Sequence, residues 1–425
     1  MQTLKIGLLG LGNIGSGVYS LVRNKKNLIK SRSGVLLELI RIADKRNSFP
    51  FPVAKNLLTK DAKSVLNDPQ IDTIIELIGG IHPALEFVLE AFRKGKDVVT
   101  ANKALLAEHG NEIFRTAEKY GRQILFEASV GGGIPVIQAL REGLVANQVQ
   151  SIHSIINGTS NYILSEMSEK KIDFNEALRD AQKKGYAEAN PKLDIEGIDA
   201  AHKITILVSL AFGKIARFKD IYAEGIGQIR GEDITFADEF GYRIKLLAIA
   251  KKTSDGIEAR VQPTLVPKNH LLANVNGSFN AILFRCDETE DLFFYGRGAG
   301  RKPTASAVVS DLVTLGKSRE GRNNSFARFP KGNLKIKSIS SILSRYYFRF
   351  YVVDQPGVLA KIAQVLGKYK ISISDVIQKE WCAGSVVPLI LLSHHAHENS
   401  VRSALRVIDR LSVIRGKSQV LRMES

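Results

Sequence analysis

The sequence predicts an α/β protein: a Rossmann-type doubly wound parallel sheet, then a mixed α+β region, then a small C-terminal βαββαβ module. Three observations predict it. An apolar strand, Leu4–Leu9, runs into Gly10-Leu11-Gly12-Asn13-Ile14-Gly15 and then a helical stretch. Strand-like and helix-like segments alternate from there to Phe126, which implies parallel strands joined by helical crossovers. Beyond residue 344 the segments read strand, helix, strand, strand, helix, strand.

The opening strand ends in a G-x-G-x-x-G loop placed between strand and helix. In that context Gly10 permits the tight turn, Gly12 lets the backbone approach a pyrophosphate, and Gly15 lets helix and strand pack closely. Asn13 and Ile14 begin a helix whose free N–H groups face the anion. Leu36–Ala43 reads as the second strand and ends at Asp44-Lys45-Arg46. Asp44 would take a ribose 2′-hydroxyl and favour NAD, whereas Lys45 and Arg46 would pair with a 2′-phosphate and favour NADP. Both signals are present, with a slight lean to NADP. Thr73–Ile78 is a further strand closed by Gly79-Gly80, followed by a helix from Pro83 to Lys94. Asp97–Thr100 is a strand ending in Ala101-Asn102-Lys103, and a helix to Tyr120 precedes a strand from Gln123 to Phe126. Ligands bind at the carboxyl edge of such sheets, so Thr100 and Lys103 face the cleft. Residues 1–134 form this expected dinucleotide-binding domain.

Residues 135–317 are expected to form the α+β domain. A helix follows Pro135, a strand covers Val149–Ile156, and helices cover Asn175–Gly185 and Asp194–Phe212. Strands follow near Ile244–Ala250, Ile257–Leu265, Ala281–Arg285 and Leu292–Tyr295. Gly296-Arg297-Gly298-Ala299-Gly300 then precedes a helix to Gly316, which is expected to return to the first domain; Gly300 sits where a backbone can approach a cofactor. The segment Gly185–Lys203 gathers acids and one lysine ahead of the apolar run Ile204–Leu210. Asp199 and Lys203 are four apart and share a helix face. A lysine at the entry to a buried helix with acids upstream is a candidate proton donor; an ordinary acid–lysine helix pair is the plain alternative.

Residues 318–344 are polar and basic and read as a linker. Residues 345–425 give strands at Tyr346–Val352, Ile371–Ile373, Val386–Leu392 and Gln419–Leu421, with helices from Val358 to Tyr369 and from Ser400 to Leu411. Between the first strand and helix lies Asp354-Gln355-Pro356-Gly357-Val358-Leu359, a turn whose N–H groups at a helix start can take a carboxylate.

Composition narrows the function. The formal charge is +17, but the basic residues are scattered and many alternate with acids, so a field attracting anionic cofactors is the simpler reading than nucleic-acid binding. Cys286 and Cys382 are the two cysteines, which excludes a disulfide framework or a cysteine-spaced metal site. No apolar run is long enough to cross a membrane, and the opening on a strand implies a cytoplasmic protein without a signal peptide.

Taken together, Gly10–Gly15, Thr100–Lys103, Glu127–Pro135, Asn157-Gly-Thr-Ser-Asn-Tyr-Ile-Leu164 and Gly185–Lys203 resemble the homoserine dehydrogenase family over nearly the whole chain. The C-terminal module resembles an ACT domain, a small amino-acid-binding module. The resemblance implies NAD(P)H-dependent interconversion of L-aspartate 4-semialdehyde and L-homoserine, in threonine, methionine and isoleucine biosynthesis. It implies that Lys203 is the catalytic lysine, that Lys103 stands near nicotinamide and substrate, and that Asp199 positions the site. It implies substrate binding by Gly185, Glu188 and Asp194. It further implies a monovalent cation, sodium, at Glu127 and the backbone carbonyls of Val130, Gly132 and Ile134; from the residues alone the Gly131–Gly133 run is equally a tight turn. The ACT domain, with Asp354 and Gly357 at its ligand turn, implies feedback control by threonine, with strengthened dimerisation as the alternative. A homodimer or homotetramer is expected, and no aspartokinase segment. Two departures stand out: Asn190 where the family pattern has Asp, and Asn13 where threonine is common. The alternatives are a related amino-acid oxidoreductase with another substrate, and a non-catalytic nucleotide and amino-acid sensor.

Overall fold

The computed structural model describes residues 2–213, 215–318, 335–378 and 385–424. The chain divides into two compact units. Met1–Gln150, His202–Phe218 and Asn280–Asn333 form the first; Ser151–Ala201, Lys219–Phe279 and Leu334–Ser425 form the second.

In the first unit, β1 (Gln2–Leu9), β2 (Val35–Ala43), β3 (Leu58–Thr59), β4 (Thr73–Glu76), β5 (Asp97–Thr100) and β6 (Ile124–Leu125) pair in parallel in the order β3-β2-β1-β4-β5-β6. That is the doubly wound order, whose switch point lies between β1 and β4. The connecting helices are α1 (Asn13–Asn24), α2 (Lys26–Ser33), α3 (Ala62–Leu66), α4 (Ala84–Arg93) and α5 (Lys103–Lys119). Asp61 caps α3 by accepting the N–H groups of Lys63 and Ser64. α2 has no fully buried residue and sets only Ile29 against the core, too little of an apolar stripe for sequence reading to detect. A short α6 (Val136–Gln138) follows, continued by a π-helical turn over Ala139–Gly143.

The second unit starts with β7 (Val149–Ile155), α7 (Gly158–Lys170), α8 (Phe174–Lys183), α9 (Lys192–Ile195) and α10 (Ile198–Phe212). A single helix over Asp194–Phe212 was expected. The structure breaks it at Gly197, whose φ of +80° is the left-handed conformation that ends a helix. The unit division falls inside α10, between Ala201 and His202. β8 (Tyr222–Ala223), α11 (Gly231–Glu239), β9 (Tyr242–Thr253) and β10 (Gly256–Pro267) follow; β9 and β10 form a long antiparallel hairpin.

β11 (Phe279–Cys286), β12 (Asp291–Arg297) and α12 (Arg301–Ser318) return to the first unit. On this helix Ala305, Val308, Leu312 and Leu315 lie in one core with Leu4, Leu8, Val18 and Val22. Gly17 makes this possible, since a Cβ there would stand 2.9 Å from that of Ala305.

The last part comprises β13 (Leu343–Val353), α13 (Val358–Lys368), β14 (Ile373–Gln378), β15 (Val386–Ser393), β16 (Ala396–His397), α14 (Glu398–Ile408) and β17 (Gln419–Met423). Its strands run β17-β13-β15-β14, the βαββαβ arrangement expected, around a core of Phe348, Phe350, Ile362, Leu366, Leu389, Leu391 and Val401. Two local expectations need correction. The second strand of the module is Ile373–Gln378, displaced from Ile371–Ile373, because Lys370 takes a left-handed φ of 60° and Ile371 closes the helix end instead. The expected linker 318–344 is not uniformly a linker, since Ile336 bridges Ile257 and Leu343 already belongs to β13; residues 319–334 lie outside those described. The module is also no separate body: β17 pairs in parallel with β10 through Thr264↔Arg422 and Leu265↔Met423. The join is ionic as well as hydrogen-bonded. Asp233, fully buried on α11, takes Arg349 Nε at 2.7 Å and the Tyr347 hydroxyl at 3.0 Å. Arg422 donates to Glu224 Oε2 at 2.7 Å and pairs with Glu398. Among the described residues no helix is long and apolar enough to cross a membrane.

Candidate active site

The glycine loop follows β1 as its spacing requires. Gly10 has φ +93°, and a Cβ there would lie 2.6 Å from the Leu77 carbonyl oxygen. A Cβ at Gly15 would lie 2.1 Å from the Gly10 carbonyl oxygen, so this glycine lets the loop close on its own helix. Gly12 differs, because a Cβ there meets nothing within 4 Å. Open space at Gly12 and the first-turn N–H groups of Asn13, Ile14 and Gly15 fit a pyrophosphate.

Asp44 at the end of β2 accepts the Leu11 N–H at 2.7 Å, which ties it to the loop. It also forms a fork with Arg46, whose Nε and Nη2 each stand 2.9 Å from its oxygens. Those Arg46 bonds hold the Asp44 carboxyl down at about 2, against the opposing effect of burial. Arg46 lies 5.1 Å over the Phe49 ring, and Lys45 is exposed. The two opposing nucleotide-choice signals are thus one ion pair.

At the carboxyl edge of β4 and β5, the buried Glu76 organises the loops. Its Oε1 accepts N–H groups of Ile78 (2.8 Å) and Gly79 (3.3 Å), and its Oε2 accepts the Thr100 hydroxyl at 2.7 Å. Thr100 Oγ1 in turn accepts the Asn102 N–H. Asn102 caps α5 through Leu105 N and donates to the Gly80 carbonyl, which places half-buried Lys103 as the first residue of that helix. Sequence reading missed Glu76; its only signal was an acid inside an otherwise apolar strand.

The loop after β6 is buried. Glu127 accepts the Ile137 and Gln138 N–H groups at 2.9 and 2.7 Å, and its own N–H donates to Asp311 on α12 at 2.9 Å. Burial pushes the Glu127 carboxyl up to about 7, and burial together with Glu127 raises Asp311 well above its ordinary value. Gly132 has φ +56° and would place a Cβ 2.6 Å from the Gly298 carbonyl oxygen, while the Gly133 N–H donates to Arg297 O at 3.2 Å. The expected cation loop and the 296–300 glycine loop therefore lie backbone against backbone, with Gly300 at φ +116° just before α12. The Ile134 carbonyl accepts the Val136 N–H at 2.8 Å. Among the described residues no group of three or more His, Cys, Asp or Glu is placed to hold a metal ion. The Arg141 guanidinium stands near both acids and works against the upward shift that burial imposes on them.

In the second unit, the turn from β7 into α7 is the organising point. Asn157 caps α7 through Ser160 N at 2.8 Å and donates to both Asp194 Oδ1 (2.7 Å) and Asp199 Oδ2 (2.8 Å). Ser160 Oγ donates to the Asp194 carbonyl, and Thr159 Oγ1 donates to the Tyr186 carbonyl, just after Gly185 (φ +73°). Asn161 donates to the carbonyls of Val275, Gly277 and Phe279, and the buried Lys245 braces Asn161 and Val275 from the other side. Glu188 is exposed, Asp194 half-buried, and Asp199 buried. Asn190 accepts the Lys192 N–H at 3.3 Å, so the turn chemistry ahead of α9 survives the replacement of the expected Asp. Lys203 lies one turn beyond Asp199 on α10, and each is only 7% exposed. Asp354 accepts from Gln378 Nε2, and Gly357 takes a left-handed φ of +84° at the start of α13.

A homoserine dehydrogenase family model matches residues 135–313, a homoserine dehydrogenase NAD binding domain model matches 10–127, and an ACT domain model matches 346–412. Over 431 residues the chain is 43% identical to a homoserine dehydrogenase of Pseudomonas aeruginosa, covering 100% of this chain and 99% of that one. It is 41% identical over 428 residues to a homoserine dehydrogenase of Helicobacter pylori, covering 100% of both. The crystal structure of a homoserine dehydrogenase from Thiobacillus denitrificans matches with a TM-score of 0.95 at 44% identity, covering 100% of both chains. That of the Staphylococcus aureus homoserine dehydrogenase at pH 7.5 matches with a TM-score of 0.79 at 30% identity, again over 100% of both.

Proposed function

The chain belongs to the homoserine dehydrogenase family, and from that premise we propose that it reduces L-aspartate 4-semialdehyde to L-homoserine with Lys203 as the proton donor. The observation that carries this reading is the pair Asp199 and Lys203, both buried and one turn apart on α10. Four residues apart on one helix, the Asp199 carboxylate and the Lys203 ammonium lie on the same face of α10, the pairing a proton donor with an orienting acid requires. A nicotinamide held by the Gly10–Gly15 loop would supply the hydride for the aldehyde carbon. Lys203 gives its proton to the aldehyde oxygen as negative charge develops there, and takes it back in the reverse direction. Lys103 adds positive charge toward that oxygen. Glu188 and Asp194 bind the substrate ammonium, with Gly185 giving the backbone turn that presents them. Asp199 orients Lys203.

Gly10, Gly12, Asn13, Ile14, Gly15, Asp44, Arg46, Thr100 and Gly300 serve the dinucleotide. The Asp44–Arg46 fork supports use of either nicotinamide, with NADP favoured when Arg46 turns to a 2′-phosphate and Lys45 joins it. A sodium ion at the Glu127 loop would hold that carboxylate ionised near neutral pH. The protein acts in threonine, methionine and isoleucine biosynthesis, as a cytoplasmic dimer or tetramer, with threonine as effector at the Asp354–Gly357 turn. Lys203→Ala tests the central role. NADPH binding should be retained and turnover should fall about 10²-fold or more, the scale of a general acid. Unchanged turnover would remove Lys203 from the mechanism.

A further inference from the structure

Asn157 occupies a position that an N-cap alone does not explain. Ser, Thr, Asp and Asn cap helices about equally well. Its Oδ1 accepts the Ser160 N–H, and this bond fixes which way the amide points. Nδ2 must then face Asp194 and Asp199, and it gives one hydrogen to each. Asn is the one residue among those caps that accepts at the helix end while donating twice. An exposure of 4% keeps water from substituting for these bonds. With both bonds under 3 Å on a planar amide, the two carboxylate oxygens stand roughly 5 Å apart. Asp194 lies in α9 and Asp199 in α10, on opposite sides of the break at Gly197, so their spacing is not set by helix geometry.

We propose that Asn157 is a positioning residue that holds Asp194 and Asp199 at a fixed spacing, using α7 as its anchor. This rests on the reading above that the two acids serve substrate binding and Lys203. The amide compensates two negative charges without adding one, and it engages a single oxygen of each carboxylate. It also ties the short α9 to the start of α10 across the break. The charged groups concerned are Asp194, Asp199 and, one turn along α10, Lys203.

Asn157→Asp tests this with little change in shape. It keeps the cap on Ser160 and replaces a double donor by a third carboxylate. Two readouts are taken on the full chain beside the wild type. In steady-state reduction of L-aspartate 4-semialdehyde, KM should rise and kcat/KM should fall about 10²-fold, as a misplaced binding group does. That loss should shrink as the pH is lowered, because the introduced carboxyl, once protonated, regains one O–H donor. In thermal unfolding between pH 5 and pH 8, the variant should lose Tm relative to wild type as the pH rises. A carboxyl whose folded pKa is raised gives stability at low pH that is lost above it. This second readout needs no substrate. An inactive wild type with the predicted Tm trend would overturn the functional reading and leave the positioning role standing. A variant whose KM and pH profile match wild type, or whose Tm offset is flat across that range, would overturn the proposal. Asn157→Ser, which caps but gives a single donor, should show a KM defect of the same kind that is independent of pH; wild-type kinetics in that variant would also overturn it.

Discussion

One methyl group at Gly225 should cripple substrate handling while leaving the nucleotide loop alone. Gly225 follows β8 and Glu224, and it lies against the short connection between α9 and α10. A Cβ there would stand 2.2 Å from the Ile195 carbonyl oxygen and 2.6 Å from the Glu196 Cα. Both atoms are backbone, so no side chain can swing aside. The same Ile195 oxygen accepts the Ile226 N–H at 2.8 Å, which pins the two segments together. A carbon normally approaches a carbonyl oxygen to about 3.3 Å at closest, so roughly 1 Å of backbone displacement is required. The displaced segment is the one between Asp194 and Asp199. A 1 Å misplacement of a binding group costs about 10²-fold in kcat/KM, and overpacking of this kind costs about 1–3 kcal/mol of stability. Gly225→Ala should therefore show kcat/KM for L-aspartate 4-semialdehyde reduced about 10²-fold, followed by NADPH absorbance. Its NADPH affinity should match wild type, because the glycine loop belongs to the other compact unit. Gly227→Ala is the control, since a Cβ there meets nothing within 4 Å. Wild-type kcat/KM in Gly225→Ala would refute the argument that this close approach sets the acids.

Gly12→Ala and Gly15→Ala should separate ligand room from fold room: the first keeps its Tm and loses NADPH affinity in a fluorescence titration, the second loses Tm as well, because its Cβ would strike the Gly10 carbonyl. Arg349→Met leaves the fully buried Asp233 with an uncompensated charge, so urea unfolding should show a loss of about 3–5 kcal/mol, largely recovered in Arg349→Met/Asp233→Asn. Burial pulls the Lys245 ammonium down to about 7, with Arg243 adding to the shift and Glu169 opposing it. The unfolded chain then binds more protons than the folded one between pH 7 and the ordinary lysine range near 10. Stability of the wild type relative to Lys245→Met should rise with pH across that window, and a flat difference would show that the buried ammonium does not set it.

What the sequence revealed follows from how local each signal is. The G-x-G-x-x-G loop, the apolar strands behind it and the D-x-P-G turn all declare themselves within ten residues, and their positions held to within a residue or two. α2 escaped because only Ile29 packs against the core, and that only partly buried, so the helix has no apolar period to read. The break at Gly197 was visible as a glycine, but nothing local says that a glycine ends a helix when acids and apolar residues continue the pattern beyond it. The pairing of β17 with β10 joins strands more than 150 residues apart, and no periodicity encodes a non-local register. The site divides in the same way. That Asp199 and Lys203 share a helix face was legible from their spacing, whereas the two hydrogen bonds Asn157 donates depend on partners 37 and 42 residues away. Glu76 and the Glu127–Asp311 contact are likewise products of tertiary approach.

One spectrophotometric assay decides whether this chain carries out the proposed reduction: purified protein, L-aspartate 4-semialdehyde, and NADPH or NADH, with product identified by chromatography. The proposed mechanism predicts stoichiometric oxidation of the nicotinamide and formation of L-homoserine, with NADPH the better donor. Absence of homoserine with both nicotinamides, from protein that binds them normally, would contradict it.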